Sequence, residues 1–157
     1  MLPTQLAQQT TTTEGKRIPV NPAVALRDRG PALQVSVTIE RNAGKALLEH
    51  GQTAPEPRSG LALIDTGASH TCIDVELATD RGLPVVDIAS SSAATHAQHQ
   101  RNGYPGEITL PTTALNSTGT LGASLVPQGL IVSIGRGARQ CRLFLCHGTV
   151  GQITLSL

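Results

Sequence analysis

Glycine and proline cut this chain into stretches too short for long helices: sixteen glycines and ten prolines are spread through its 157 residues. Both favour turns and disfavour element interiors, glycine through its conformational freedom and proline through its missing N–H. The stretches between them read as strands. Leu33–Ile39 alternates apolar and polar residues, and Leu61-Ala62-Leu63-Ile64 is wholly apolar. Val85–Ile88 and Gly106–Pro111 have extended character. Leu130–Ile134 is apolar, and Leu143–Cys146 and Gln152–Leu157 flank a turn at His147-Gly148. Lys45–Leu48 is expected as a hairpin partner of the first strand, Gln52–Gly60 and Thr112–Gly122 as loops, and the small, polar segment Ala89–Gln100 as a hairpin tip. Asp74 can cap a short helix over Val75–Arg81, closed by Gly82 and Pro84. The pattern predicts an all-β, barrel-like single domain of about eight short strands with one or two short helices. Residues 1–30, with the low-complexity run Thr10–Thr13, are expected as a flexible arm, and residues 31–157 as the domain.

Hydrophobic residues make up 39% of the chain, enough for a packed interior without disulfides or a metal. With Tyr104 and Phe144 as its only aromatics, that interior must be built from Leu, Ile, Val and Ala. Net charge is +1 and no basic run exceeds two residues, which argues against a nucleic-acid surface. The first residues have neither a basic nor an apolar secretory pattern, and no stretch approaches the ~18 apolar residues of a membrane span. A soluble, cytoplasmic protein is expected. Cys72, Cys141 and Cys146 are then free thiols and small apolar side chains. His96 and His99 lack a Cys or acidic companion, so they are read as solvated hairpin residues, and no metal or cofactor is expected.

Asp65 stands out chemically. It ends the apolar run Leu61–Ile64, where a carboxylate is costly unless hydrogen-bonded. Thr66 supplies a hydroxyl and an N–H, and Gly67 allows a tight turn that brings another N–H close. Two such carboxylates at hydrogen-bond distance share one proton. The ionised member can take a proton from water while the protonated member polarises a carbonyl. Asp-Thr-Gly occurs once, and Asp28, Asp74, Asp80 and Asp87 lack its context, so the second carboxylate would have to come from a second copy across a two-fold axis. Ser69 and His70 could suggest a nucleophile and base, but neighbours on a strand point to opposite faces.

Leu63-Ile64-Asp65-Thr66-Gly67-Ala68-Ser69 resembles the catalytic motif of retropepsin-like aspartic proteases, the retroviral proteases and small bacterial relatives. Ile131-Val132-Ser133-Ile134-Gly135-Arg136, about 70 residues on, resembles the hydrophobic strand ending in Gly-Arg of the same family. The resemblance covers roughly residues 31–157. It implies the retropepsin-like acid protease barrel, assembled as a two-fold homodimer, and an aspartic endopeptidase. Asp65 would be the catalytic residue, and Thr66, Gly67 and Ala68 the active-site turn, with Thr66 bracing the two copies across the axis. Gly67, Ser69, Ile134 and the hairpin residues Ser92, Ala93, Ala94, Thr95 and His96 would meet the peptide substrate. Gly135 and Arg136 would be structural, and Gln152–Leu157 would interleave at the dimer interface. The aliphatic composition implies apolar side chains flanking the cut bond, and Ala68, lacking the hydroxyl of the pepsin-like serine, implies activity in mild acid to near neutrality.

Two positions depart from the family pattern. Ser69 stands where retroviral members carry an acidic partner for the arginine, and Gly137 where Asn or Asp usually follows Gly-Arg, leaving Asp74 as a candidate partner for Arg136. These departures motivate a rival expectation, a catalytically inactive dimeric peptide-binding or scaffold module. A third is a zymogen whose residues 1–30 obstruct the cleft.

Overall fold

In the computed structural model, the described residues are 2–5, 9–11, 17–93, 96–110, 113–115, 120–137 and 143–156. They form mostly strand with a few short helices: β1 (Leu2–Gln5), β2 (Gln9–Thr11), β3 (Arg17–Pro19), α1 (Pro22–Arg29), β4 (Ala32–Ile39), α2 (Arg41–Glu49), β5 (Arg58–Ile64), β6 (Cys72–Asp74), α3 (Val75–Asp80), β7 (Asp87–Ala93), β8 (His96–Tyr104), β9 (Gly106–Leu110), β10 (Thr113–Leu115), β11 (Thr120–Ala123), β12 (Val132–Ile134), β13 (Leu143–His147) and β14 (Gln152–Ser156). No helix among these residues is long and apolar enough to cross a membrane.

Chain contacts divide the protein into two units, residues 1–33 with 139–157, and residues 34–138. In the first, β14 lies between β1 and β13, antiparallel to both, and β2 pairs with β3. α1 begins at Asn21, whose side chain accepts from the Ala23 N–H at 2.9 Å, with Pro22 in the first turn. Gly151 holds φ +63° in the turn before β14, and a Cβ there would meet the Pro22 carbonyl carbon at 2.0 Å, so the position admits no side chain. Sequence reading put a flexible arm over this stretch. The Asn21-Pro22 pair within it is a helix start, and β1–β3 are too short to show periodicity.

The second unit contains the sheet β10-β9-β4-β5-β12-β6-β11-β8-β7. It is open, with β10 and β7 at its edges; the expected barrel closure is not seen among the described strands. Strand alternation builds the core: Leu33, Val35, Val37 and Ile39 are the buried residues of the β4 alternation, and Ile108 and Leu110 those of β9. Tyr104 is buried at the end of β8. At the β7 edge the Ile88 N–H donates to the Asp87 carboxylate at 2.7 Å, although Ile88 itself is 61% exposed.

Two sequence expectations fail here. Lys45–Leu48 lies in helix α2, not in a hairpin strand. Glu40 starts that helix by accepting from the Asn42 and Ala43 amides, and Gly44 sits against Ile39 where a larger residue would crowd it. The Thr112–Gly122 loop contains β10 and β11, and β11 is an interior strand between β6 and β8. Its buried Thr120 hydroxyl donates to the Tyr104 carbonyl at 3.1 Å, so a polar residue is accommodated inside the sheet. Fourteen strands are present among the described residues where about eight were expected.

The expected cap at Asp74 is present and reaches further than a cap. Asp74 is 1% exposed. One carboxylate oxygen accepts from the Glu76 and Leu77 amides at 3.0 and 3.1 Å. The other accepts from the Leu125 and Val126 amides at 2.8 and 3.0 Å, tying the start of α3 to a segment fifty residues away. Burial alone would push this carboxyl up, but the four N–H donors hold it below its ordinary value. The folded protein therefore binds fewer protons here than the unfolded chain. The resulting stability is fully present above the unfolded-state value and is lost as pH falls through the folded-state one. Asp74→Ala is expected to cost about 3 kcal/mol in chemical denaturation, because two buried and two part-buried amide donors lose their acceptor. Asp74→Asn should flatten the fall in denaturation midpoint as pH drops through and below the ordinary carboxylate range relative to wild type; an unchanged acid limb would contradict this account.

Candidate functional site

Three strands present Asp65. β12 lies between β5 and β6, parallel to β5 (Val132 opposite Ala62, Ile134 opposite Ile64) and antiparallel to β6 (Val132 opposite Ile73, Ser133 opposite Cys72). The chain leaves β5 at Ile64, turns through residues 65–71 and returns as β6, with β12 filling the slot between the two arms. Ala62, Ile73 and Val132 are completely buried, which makes this slot a rigid base.

The turn is then fixed to the end of β12 by backbone bonds. Asp65 donates its N–H to the Ile134 carbonyl at 2.9 Å, Arg136 donates to the Ala68 carbonyl at 2.9 Å, and Gly137 donates to the Ser69 carbonyl at 3.0 Å. The buried Thr71 hydroxyl accepts from the Gly135 N–H at 3.2 Å. Gly135 runs so close to the turn that a Cβ would lie 2.3 Å from the His70 carbonyl oxygen. Glycine is required here by backbone-to-backbone approach, which gives Gly135 its expected structural role a physical cause. Thr71 was missed in the sequence, where it reads as an ordinary strand residue.

Within the turn, one Asp65 carboxylate oxygen accepts from the Gly67 N–H at 3.0 Å and the Ala68 N–H at 3.2 Å. No protein partner of the other oxygen is seen among the described residues. Thr66, Gly67, Ser69 and His70 are exposed, and Asp65 and Ala68 are half-buried. The turn thus presents a carboxylate with one oxygen anchored and one open, on an exposed polar tip.

Several expected site residues are placed differently. Ser69 and His70 lie in a bend and not on a strand, so they do not point apart: the Ser69 hydroxyl is 2.9 Å from His70 Nδ1. No further partner of that imidazole is seen among the described residues, so no triad is formed. Arg136 is exposed, and Asp74 is not its partner, since both Asp74 oxygens are filled by backbone amides. Ile134 is buried, contributing its carbonyl to Asp65. Ser92 and Ala93 end β7, and His96 opens β8; Ala93 pairs with His96 across a hairpin with an irregularity after Ser91. Ala94, Thr95, Cys141 and the helical turn expected after Arg136 lie outside the described residues. Cys72 and Cys146 are free; Cys72 is half-buried, but Cys146 is exposed and not the buried small side chain expected. Among the described residues no group of His, Cys, Asp and Glu is arranged to hold a metal ion.

Gly135→Ala should destabilise the protein by at least ~2 kcal/mol, since the clash is with backbone that cannot move away alone. Thr71→Val should cost about 1–3 kcal/mol by leaving the Gly135 N–H buried without an acceptor. Both are read from denaturation midpoints, and a neutral result for both would show that the turn is not fixed by these contacts. No family model matches the sequence, and no curated protein matches it significantly.

Proposed function

We propose that this protein is an aspartic endopeptidase that works as a homodimer, with Asp65 of each copy forming one catalytic pair. The observation that carries this reading is the Asp65 turn itself: a carboxylate with one oxygen fixed by two amides and the other open, on an exposed tip mounted over a buried strand slot. An exposed tip of this kind is able to meet its own copy across a two-fold axis, as an isologous contact requires. The motif resemblance supplies the reaction class.

In the proposed reaction a water sits between the two carboxylates. The ionised carboxylate accepts a proton from it as the water oxygen bonds to the peptide carbonyl carbon. The protonated carboxylate donates to the carbonyl oxygen, giving a tetrahedral gem-diol. A proton then passes to the amide nitrogen as the C–N bond breaks, leaving a carboxyl and an amine product. Thr66, at the tip, would brace one turn against the other. The β7–β8 hairpin would cover the peptide, and the peptide would bind in extended form through backbone hydrogen bonds.

Asp65→Asn should abolish cleavage of a mixed peptide library while leaving the denaturation midpoint within about 1 kcal/mol of wild type. Specific activity of the wild type should also fall on dilution, because the pair exists only in the dimer. Cleavage that survives Asp65→Asn, or a concentration-independent specific activity from a strictly monomeric protein, would overturn the proposal. Peptide binding without new termini would instead favour an inactive binding module.

A further inference from the structure

Strand register shows which side chains share a face with Asp65. Residues paired across adjacent strands point to the same side, as do residues two apart on one strand. Leu63 pairs with Ser133, Ser133 with Cys72, Cys72 with Leu121, and Leu121 with Gly103. This row crosses the sheet from β5 to β8 on one face. The opposite face carries Ala62, Val132 and Ile73, all completely buried, so the core lies there. On the Leu63–Gly103 side Leu63 and Cys72 are half-buried, and Ser133, Leu121 and Gly103 are buried. Asp65 follows Leu63 by two residues at one end of the row, and Arg101 precedes Gly103 by two at the other.

Arg101 is held in place there. Its guanidinium donates to the Gly122 carbonyl at 3.0 Å, while its Nε is buried with no partner. Accepting an amide N–H leaves a carboxylate charged, and register places Asp87, opposite Gly103, on this face diagonal to Arg101. Asp74 accepts from four amides, Asp87 from the Ile88 N–H, and Asp65 stands at the far end of the row. Arg101 therefore shares a sheet face with the half-buried Leu63 and Cys72, and no ion pair to its guanidinium is present among the described residues. Cys72, midway along the row, reports the same arrangement: burial pushes its thiol up, Arg101 pulls it down, and Asp65 pushes it up.

We propose, on the basis of the peptidase reading above, that Arg101 is the specificity-determining residue of this face and receives the carboxylate of an Asp or Glu side chain on the peptide that Asp65 cuts. Residues nearest the cut would rest on this row, and the acidic one would lie further along the extended peptide. A guanidinium already oriented by a backbone carbonyl loses little freedom on taking a carboxylate.

The test is digestion of a proteome-derived peptide library by wild type, Asp65→Asn, Arg101→Gln and Arg101→Lys. Wild type should enrich Asp and Glu at one position on one side of the cut. For a peptide taken from that set, exchange of the acid for its amide should lower kcat/KM about tenfold. Arg101→Gln should lose both the enrichment and the difference, while still cutting the amide peptide. Arg101→Lys should keep part of each, which guards against a misfolded Gln variant. Cuts without acidic enrichment in wild type, or with equal enrichment in Arg101→Gln, would overturn the Arg101 proposal and leave the peptidase reading intact. Absence of any cut that depends on Asp65 would overturn both.

Discussion

The site depends on one packing constraint: β12 must lie between β5 and β6, and Gly135 must then touch the turn that joins them. Backbone-to-backbone approach of this kind is dictated by chain geometry and not by side-chain affinity. It converts three short strands, none stable alone, into a mount with three backbone hydrogen bonds and one threonine bond holding the turn. Because Ala62, Ile73 and Val132 beneath it are fully buried, any displacement of Asp65 would have to move the core as well.

Two aspartates nine residues apart show how environment separates structural from chemical roles. Asp65 follows β5 and Asp74 ends β6, and both accept from amides two and three residues on. Asp74 is buried, and its second oxygen is filled by the Leu125 and Val126 amides, so nothing remains for an outside molecule. Asp65 is half-buried, and its second oxygen is open. The local turn chemistry is the same; the difference lies in what the distant chain brings to the second oxygen.

That distinction explains how much was legible in the sequence. Local signals carried well: the apolar run before Asp65, the cap at Asp74 and the pairing of the C-terminal strands; the hairpin tip expected over Ala89–Gln100 is instead mostly strand, in β7 and β8. Elements defined by remote partners did not. β11 looks like a Thr/Gly loop because its hydroxyl is satisfied by Tyr104, a residue sixteen positions away. α2 carries Gly44, a poor helix former, close against the Ile39 side chain, which weakens its helical signal. Thr71 gives no local sign that it will bond to Gly135, sixty-four residues on, and the row from Leu63 to Gly103 exists only once five strands are in register.

The Asp87–Ile88 contact bears on how this molecule behaves in a concentrated solution. An open sheet ends in strands whose outward amides could recruit any extended chain, and Val85, Val86 and Ile88 would make such recruitment adhesive. By turning its own carboxylate onto the Ile88 N–H, Asp87 occupies that donor and sets a negative charge on the rim. Growth of the sheet at this exposed apolar edge is thereby discouraged.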